Sequence, residues 1–177
     1  MARTDMTSVR EQLVAADAKP EALKSIAQAF ADASDFNKVL LRLTGAPEPS
    51  VSDGASWLLK DAIAAGLELT KAQSRAYTDN ALSSDNWATA LHFCQSIEGL
   101  RFDAATAVAE RLNDLTTHER PFVRAWALHA LCALADRDRS LAPLARAAYD
   151  SAENDPSASV RARRRNMRAP GGPEASR

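Results

Sequence analysis

The 177-residue chain is predicted to be all-α, a short right-handed α-solenoid of about nine to ten helices stacked as antiparallel pairs. Three observations predict this. A local pattern recurs every 37 residues: Val123-Arg124-Ala125 aligns with Val160-Arg161-Ala162, and Ala125, Ala127, Leu128 and His129 align with Ala88, Ala90, Leu91 and His92. A fixed period of that size, one amphipathic helix pair per period, marks units that cannot bury their apolar faces without a stacked neighbour. Composition agrees, because the 46% of hydrophobic residues are mostly Ala and Leu, good helix formers, while Val, Ile and Gly are few. Apolar residues also return at helical spacing along most of the chain. The reading is a single domain over 1–169, with its clearest units at 68–98, 99–136 and 137–169, and a disordered tail at 170–177.

Taken in order, Ser8 to Ala18 is weakly helical, and Pro20 either ends that segment or opens the next, where its missing N–H costs nothing. Leu23, Ile26, Ala27 and Phe30 fall at i, i+3, i+4 and i+7, opposite Glu21, Lys24 and Gln28. Phe36, Val39, Leu40 and Leu43 form a second such stripe, stopped by Gly45, Pro47 and Pro49, so that 44–50 is a loop. Ser52 or Asp53 is placed to cap a helix bearing Trp57, Leu59, Ile63 and Leu67, with Gly66 near its end. Thr70 and Gln73 have the form of a capping box opening a helix to about Leu82. From Asp85 to Glu98 the stripe is Trp87, Leu91, Cys94 and Ile97, and Gly99 stops it.

Asp103 to Thr116 aligns Ala105, Val108, Leu112 and Leu115, and His118 to Arg120 turns into a helix begun by Pro121, with Val123, Trp126, Ala130, Leu131 and Leu134 on one stripe. Ser140 caps a helix with Leu141, Leu144, Ala145 and Ala148. Asn154-Asp155-Pro156 then turns into SASVRARRRNMR, where Val160 and Met167 are nearly the only large apolar groups. Such a helix suits the end of a stack.

A formal net charge of −1 argues against wholesale attraction to nucleic acid or anionic lipid. The average conceals an asymmetry, since 161–177 holds six Arg and one Glu. The first twenty residues lack the apolar run of a secretory signal, and no segment approaches the roughly 18 apolar residues of a membrane span. The expectation is a cytoplasmic protein with no membrane partner, its Cys94 and Cys132 reduced and packed as small hydrophobes.

The segment from about Gly99 to Ala169 resembles HEAT repeats of the HEAT/armadillo superfamily, in which an amphipathic helix is followed by a tight turn with Asp and often Pro. Val-Arg then opens a second helix rich in Ala and Leu. Asp155-Pro-Ser-Ala-Ser-Val160-Arg161 fits this turn closely. Pro121-Phe-Val123-Arg124-Ala fits it less fully, because His118 stands where the family places Asp, a departure that bears on any Asp–Arg ladder between units. Upstream, Trp87 occupies the expected Arg position. By resemblance, Val123, Arg124, Trp126, Asp155, Val160 and Arg161 are repeat-structural residues, and the implied role is protein–protein scaffolding, with some members binding nucleic acid and a minority acting as enzymes.

Four candidate sites compete with plainer readings. Arg161, Arg164, Arg165 and Arg168 fall at i, i+3, i+4 and i+7, with Arg163 off the stripe. They could hold phosphates or an acidic partner, or could coat a solvated end-cap helix with no aromatic stacking platform beside it. His92, Cys94, His129 and Cys132 have the composition of a zinc site without its spacing, so no metal is assigned. Trp57, Trp87 and Trp126 lie on apolar stripes and are expected in the core. Glu110 and Asp114 read as a solvated helix face. Phosphate loops, nucleophile elbows and His-Glu-x-x-His motifs are absent, so neither catalytic residues nor a cofactor is expected. The expected partner is another protein, with a nucleic acid held by the C-terminal Arg stripe as the alternative.

Overall fold

The computed structural model describes residues 4–103 and 105–171, and every structural statement concerns those residues. Among them the chain is all-helical, with ten α-helices and no strand. Most of the tail expected at 170–177 lies outside them. The chain divides into two compact units, Met1–Arg101 and Phe102–Arg177.

The N-terminal unit holds α1 (Met6–Ala16), α2 (Pro20–Ala29), α3 (Phe36–Leu43), α4 (Pro49–Ala64), α5 (Lys71–Leu82) and α6 (Trp87–Ser96). Its hub is α4, which packs against α1, α2, α3 and α6. Val51, Ala55 and Leu58 of α4 meet Val9, Leu13, Leu23, Ile26, Phe36, Val39, Leu40 and Leu43 in one core. Each such aliphatic side chain contributes about 1.5–3 kcal/mol when fully buried. The approach is close because Gly54 lacks a side chain: a Cβ there would come within 2.9 Å of Leu13 Cδ2 and 3.1 Å of Leu23 Cδ2. The helix begins earlier than the expected cap at Ser52 or Asp53, because Pro49 supplies a first position whose φ is already helical. Ser52 therefore sits inside the first turn, buried, with its hydroxyl 3.3 Å from the Glu48 and Pro49 carbonyls. Ahead of α5, Thr70 and Gln73 form the expected capping box. Tyr77 meets Phe93 edge to face across α5 and α6, with ring centroids 5.4 Å apart.

The C-terminal unit holds α7 (Thr106–Leu115), α8 (Pro121–Arg137), α9 (Ala142–Ser151) and α10 (Ala158–Arg165). Here α8 is the hub, packed against α7, α9 and α10. Buried Ala125, Ala127, Ala130 and Ala135 keep its surface low enough for three neighbours, while Val123, Leu128, Leu131 and Leu134 fill the space between. Two expectations change in this unit. Asp138, rather than Ser140, caps the turn before α9, accepting from the Ser140 backbone N–H at 3.0 Å and its hydroxyl at 2.6 Å. And α10 stops at Arg165, where the Asn166 N–H closes on the Ala162 and Arg163 carbonyls, so Arg168 lies beyond the helix and cannot continue an i+7 stripe.

The tryptophans also depart from expectation. Trp57 and Trp126 are half-buried and Trp87 is 38% exposed, so none is a core residue. Trp57 nonetheless packs against the N-terminal core as one of its partly buried hydrophobic groups. Lys60 Nζ sits 5.0 Å from the Trp57 ring centroid and Arg163 Cζ 3.8 Å from that of Trp126, within cation–π range.

Candidate binding cleft

In the N-terminal unit the turn from α3 into α4 and the turn from α5 into α6 face one another across an open cleft of 660 Å³. One wall is 45–47 with Pro49 and Ser52; the other is 83–87 with Asp79 and Asn80. The volume falls in the range of about 300–1,000 Å³ usual for ligand clefts.

Two asparagines hold the walls in place. Asn80 donates from Nδ2 to the Leu41 carbonyl at 3.0 Å and to Thr44 Oγ1 at 3.1 Å, satisfying a carbonyl that the end of α3 leaves without a helical partner. It reaches them because residue 45 is glycine, whose Cβ would stand 2.9 Å from Asn80 Cγ and Oδ1. Asn86 caps α6 by accepting from the Ala88 N–H at 3.1 Å, and its Nδ2 donates to the Pro49 carbonyl at 3.1 Å and Ser52 Oγ at 3.0 Å. The amide donors of both residues are thus engaged inside the protein.

What the cleft offers outward is mostly acceptor. Asp79 and Asp85 are exposed carboxylates on the α5/α6 wall, Asp79 with Arg75 Nε at 3.9 Å, a long exposed pair of little strength. Helices α3 and α5 end here, and the last carbonyls of a helix carry partial negative charge. The starts of α4 and α6 face the same cleft with the opposite partial charge, α4 without a side-chain cap and α6 capped by Asn86. Beside these acceptors stands the exposed indole of Trp87.

The residues predicted from sequence lie elsewhere. In the C-terminal unit Arg161 donates to the Asp155 carbonyl, and Arg164 donates from Nε to the Tyr149 carbonyl at 3.0 Å and from Nη2 to Glu153 at 2.9 Å. Arg164 also lies over the Tyr149 ring at 4.5 Å. The aromatic platform that the sequence did not suggest is therefore present, as Trp126 and Tyr149, and intramolecular guanidinium groups cover it. Of the four stripe residues, Arg165 and Arg168 are exposed. Val123 and Val160 are buried in the unit's core.

Arg124 and Asp155 form the strongest ion pair in this unit: Nε to Oδ2 at 2.8 Å and Nη2 to Oδ1 at 2.9 Å, both side chains only 12% exposed. The remaining Nη1 donates to the His118 carbonyl at 2.8 Å and the Glu119 carbonyl at 3.0 Å. Asp155 is held below the usual carboxylate range by this guanidinium, against a smaller opposing effect of desolvation.

The proposed zinc ligands are not gathered: among the described residues no group of three or more His, Cys, Asp or Glu is placed to hold a metal ion. Cys94 and Cys132 are buried free thiols, each pushed up to about 12 by burial, and a thiol so protonated is a poor nucleophile. His129 packs edge-on against Trp126 at 5.3 Å. His92 is buried with Nδ1 2.9 Å from Ser56 Oγ and 3.6 Å from Asp53 Oδ1. Burial, then the Lys60 ammonium, push its pKa down to about 4. Asp53 is itself raised above the usual carboxylate range by desolvation. Serine and aspartate share one ring nitrogen here, an arrangement that ties α6 to α4 and lacks the two-sided relay of a nucleophilic triad.

No family model matches the chain, and no curated protein or solved structure matches it either.

The cleft was missed because its residues come from two turns far apart in sequence. One signal did point to it. Trp87 stands where the 37-residue alignment with Arg124 would place Arg, a departure visible in the sequence.

Proposed function

We propose that the chain is a non-catalytic protein-binding module built from HEAT-like repeats stacked as a short right-handed α-solenoid, and that its partner docks at the α3–α6 cleft. The observation that carries this reading is Trp87, a large aromatic residue 38% exposed at the edge of an open cleft on an otherwise close-packed helical frame. Exposed Trp beside a cavity is the residue type that dominates binding energy in protein interfaces. The 37-residue period and the Asp155-Pro turn into Val160-Arg161 support the repeat class, and the Arg124–Asp155 pair is the Asp–Arg contact that such a class would use between successive helix pairs. The alternative, nucleic acid on the C-terminal Arg stripe, has less support, since Arg161 and Arg164 are bound to backbone carbonyls and Arg163 to an indole face.

The test is site-specific photocrosslinking in cells, with p-benzoylphenylalanine at position 87 and, as a control, at Val14. A discrete protein adduct from position 87 and not from position 14 is expected. Adducts to nucleic acid alone, or the same adducts from both positions, refute the reading.

A further inference from the structure

We infer that the α4–α6 joint is an acid-opened latch: charging His92 frees the second half of α6 from α4, while the Asn86 contact holds the end beside the cleft. Two polar contacts tie these helices. At the start of both, Asn86 donates to the Pro49 carbonyl and to Ser52 Oγ; further along, His92 meets Ser56, both residues buried. The first contact is between neutral groups that do not titrate. The second contains an imidazole, and the device is independent of what occupies the cleft.

The geometry fixes where the protons are. Ser56 has one hydroxyl proton and donates it to the Asp53 carbonyl at 2.9 Å, so the 2.9 Å contact with His92 requires Nδ1 to carry the proton and Ser56 Oγ to accept it. The neutral ring is thereby satisfied at Nδ1. A second proton has to go to Nε2, and it makes a cation of a residue only 8% exposed. Asp53 and Lys60 face that cation from α4, at i and i+7 on one side of the helix. Asp53 Oδ1 is 3.6 Å from Nδ1, beyond hydrogen-bonding distance, and the Lys60 ammonium repels the added charge. Helix α5 packs against α6 with the buried phenol of Tyr77 on Phe93, which stays neutral, while its Lys71, Arg75 and Asp79 are exposed, as is Glu98 in the turn after α6. The closed joint therefore satisfies the neutral ring and offers the charged ring no further partner.

Swinging the ring into water removes the penalty, because burial and then Lys60 are what hold His92 down to about 4 in the closed joint, against an ordinary 6.5. The closed form is favoured in full above about pH 6.5, and opening gains as pH falls toward about 4, by about 30-fold between pH 7.5 and pH 5.

The experiment is amide hydrogen exchange of the full chain, followed by NMR at about pH 7.5 and pH 5 in several low concentrations of urea, with each rate divided by its intrinsic value. Amides of 93–96 should lose about 30-fold in protection at the lower pH with little dependence on urea, the mark of a local opening, and amides of 88–90, next to Asn86, should lose less. Ring ¹⁵N shifts near neutral pH should report a proton on Nδ1 and a bare Nε2. His92→Gln should abolish the loss, and Lys60→Gln should reduce it by raising the pKa of the buried ring. Unchanged protection at the lower pH overturns the inference, as does a loss that survives His92→Gln. So does a loss shared equally along α6 with the urea dependence of global unfolding, or a ring found with its proton on Nε2.

Discussion

The two units meet the same structural problem, how to join the turns of successive helix pairs, in opposite ways. In the C-terminal unit the turn before α8 and the turn before α10 are clamped by charge, with Arg124 bidentate on Asp155 and its third nitrogen on two backbone carbonyls. The cavity beside that clamp, 490 Å³, has the paired Arg124 and Asp155 in its lining. In the N-terminal unit neutral amides do the joining, Asn86 to Pro49 and Ser52 and Asn80 to Leu41 and Thr44. The register position of Arg124 is taken there by Trp87. Joining by amides leaves the carboxylates and the indole turned outward. The C-terminal turns are thus joined by a charged pair and the N-terminal turns by neutral amides.

The sharpest way to break the contrast is to remove the clamp. Asp155→Ala should cost the C-terminal unit about 3 kcal/mol, since it leaves a largely buried guanidinium without its counter-ion and also removes the acceptor for the Ser157 N–H at 2.7 Å. Hydrogen exchange of α8 and α10 amides should quicken accordingly, with α4 amides unaffected. Equal protection of α8 and α10 in variant and wild type would show that the pair contributes nothing. Asp155 titrates low in the folded chain, so its contribution is complete above the ordinary carboxylate pKa and is lost as pH falls through the depressed one.

The N-terminal unit should fail in a different pH window. His92, with a folded pKa of about 4 against an ordinary value of 6.5, binds its proton more readily in the unfolded chain. Stability from its neutral form is therefore whole above about pH 6.5 and is lost on the way down to pH 4, by about 2–3 kcal/mol in total. His92→Gln should flatten this slope for α4 and α6 while leaving the acid response of α8 unchanged, as read by hydrogen exchange from pH 7 to 4. A slope that survives the substitution would place the acid sensitivity in another group.

A smaller effect is expected at Gly99, where the last turn after α6 crosses Ile63 of α4. An added Cβ overlaps Ile63 Cγ2, and a β-branched side chain has few rotamers to escape into. Gly99→Ala should cost about 1–2 kcal/mol by urea denaturation, and Gly99→Ala/Ile63→Ala should recover less than the sum of the single costs. Strict additivity would mean that the contact is already relaxed.

These contrasts also show what the residues alone revealed. Helical spacing placed the stripes well wherever the buried residues were Leu, Val or Ile, because a large aliphatic group has one favourable place to go. It served less well for the tryptophans, which are apolar by the same count yet carry a polar edge and a cation-binding face and are only partly buried, Trp57 packing on the N-terminal core from its edge. The Arg stripe was visible as a charge pattern, but that pattern does not reveal that Arg161 and Arg164 bind carbonyls and Arg163 an indole, since those partners lie on other segments. Arg124 and Asp155 were each singled out from the sequence by the resemblance. Their pairing was not, because it joins positions 31 apart. The cleft combines both difficulties, with its walls drawn from separate turns, 45–52 and 79–87, and a partly exposed tryptophan at its edge.

The smallest expected change in stability is also the most informative. Trp87→Ala removes a ring that is 38% exposed, so the unfolding free energy should move by about 1 kcal/mol, whereas Arg124→Ala at the aligned position should cost about 2–3 kcal/mol. Paired denaturation curves of the two variants decide between two accounts of the repeat. If both substitutions cost the same, Trp87 is a packing residue that happens to reach the surface, and the two ridges differ only in the chemistry of their clamps. If the costs separate as stated, the register position has changed its work between the units, from holding the turns together to presenting a side chain.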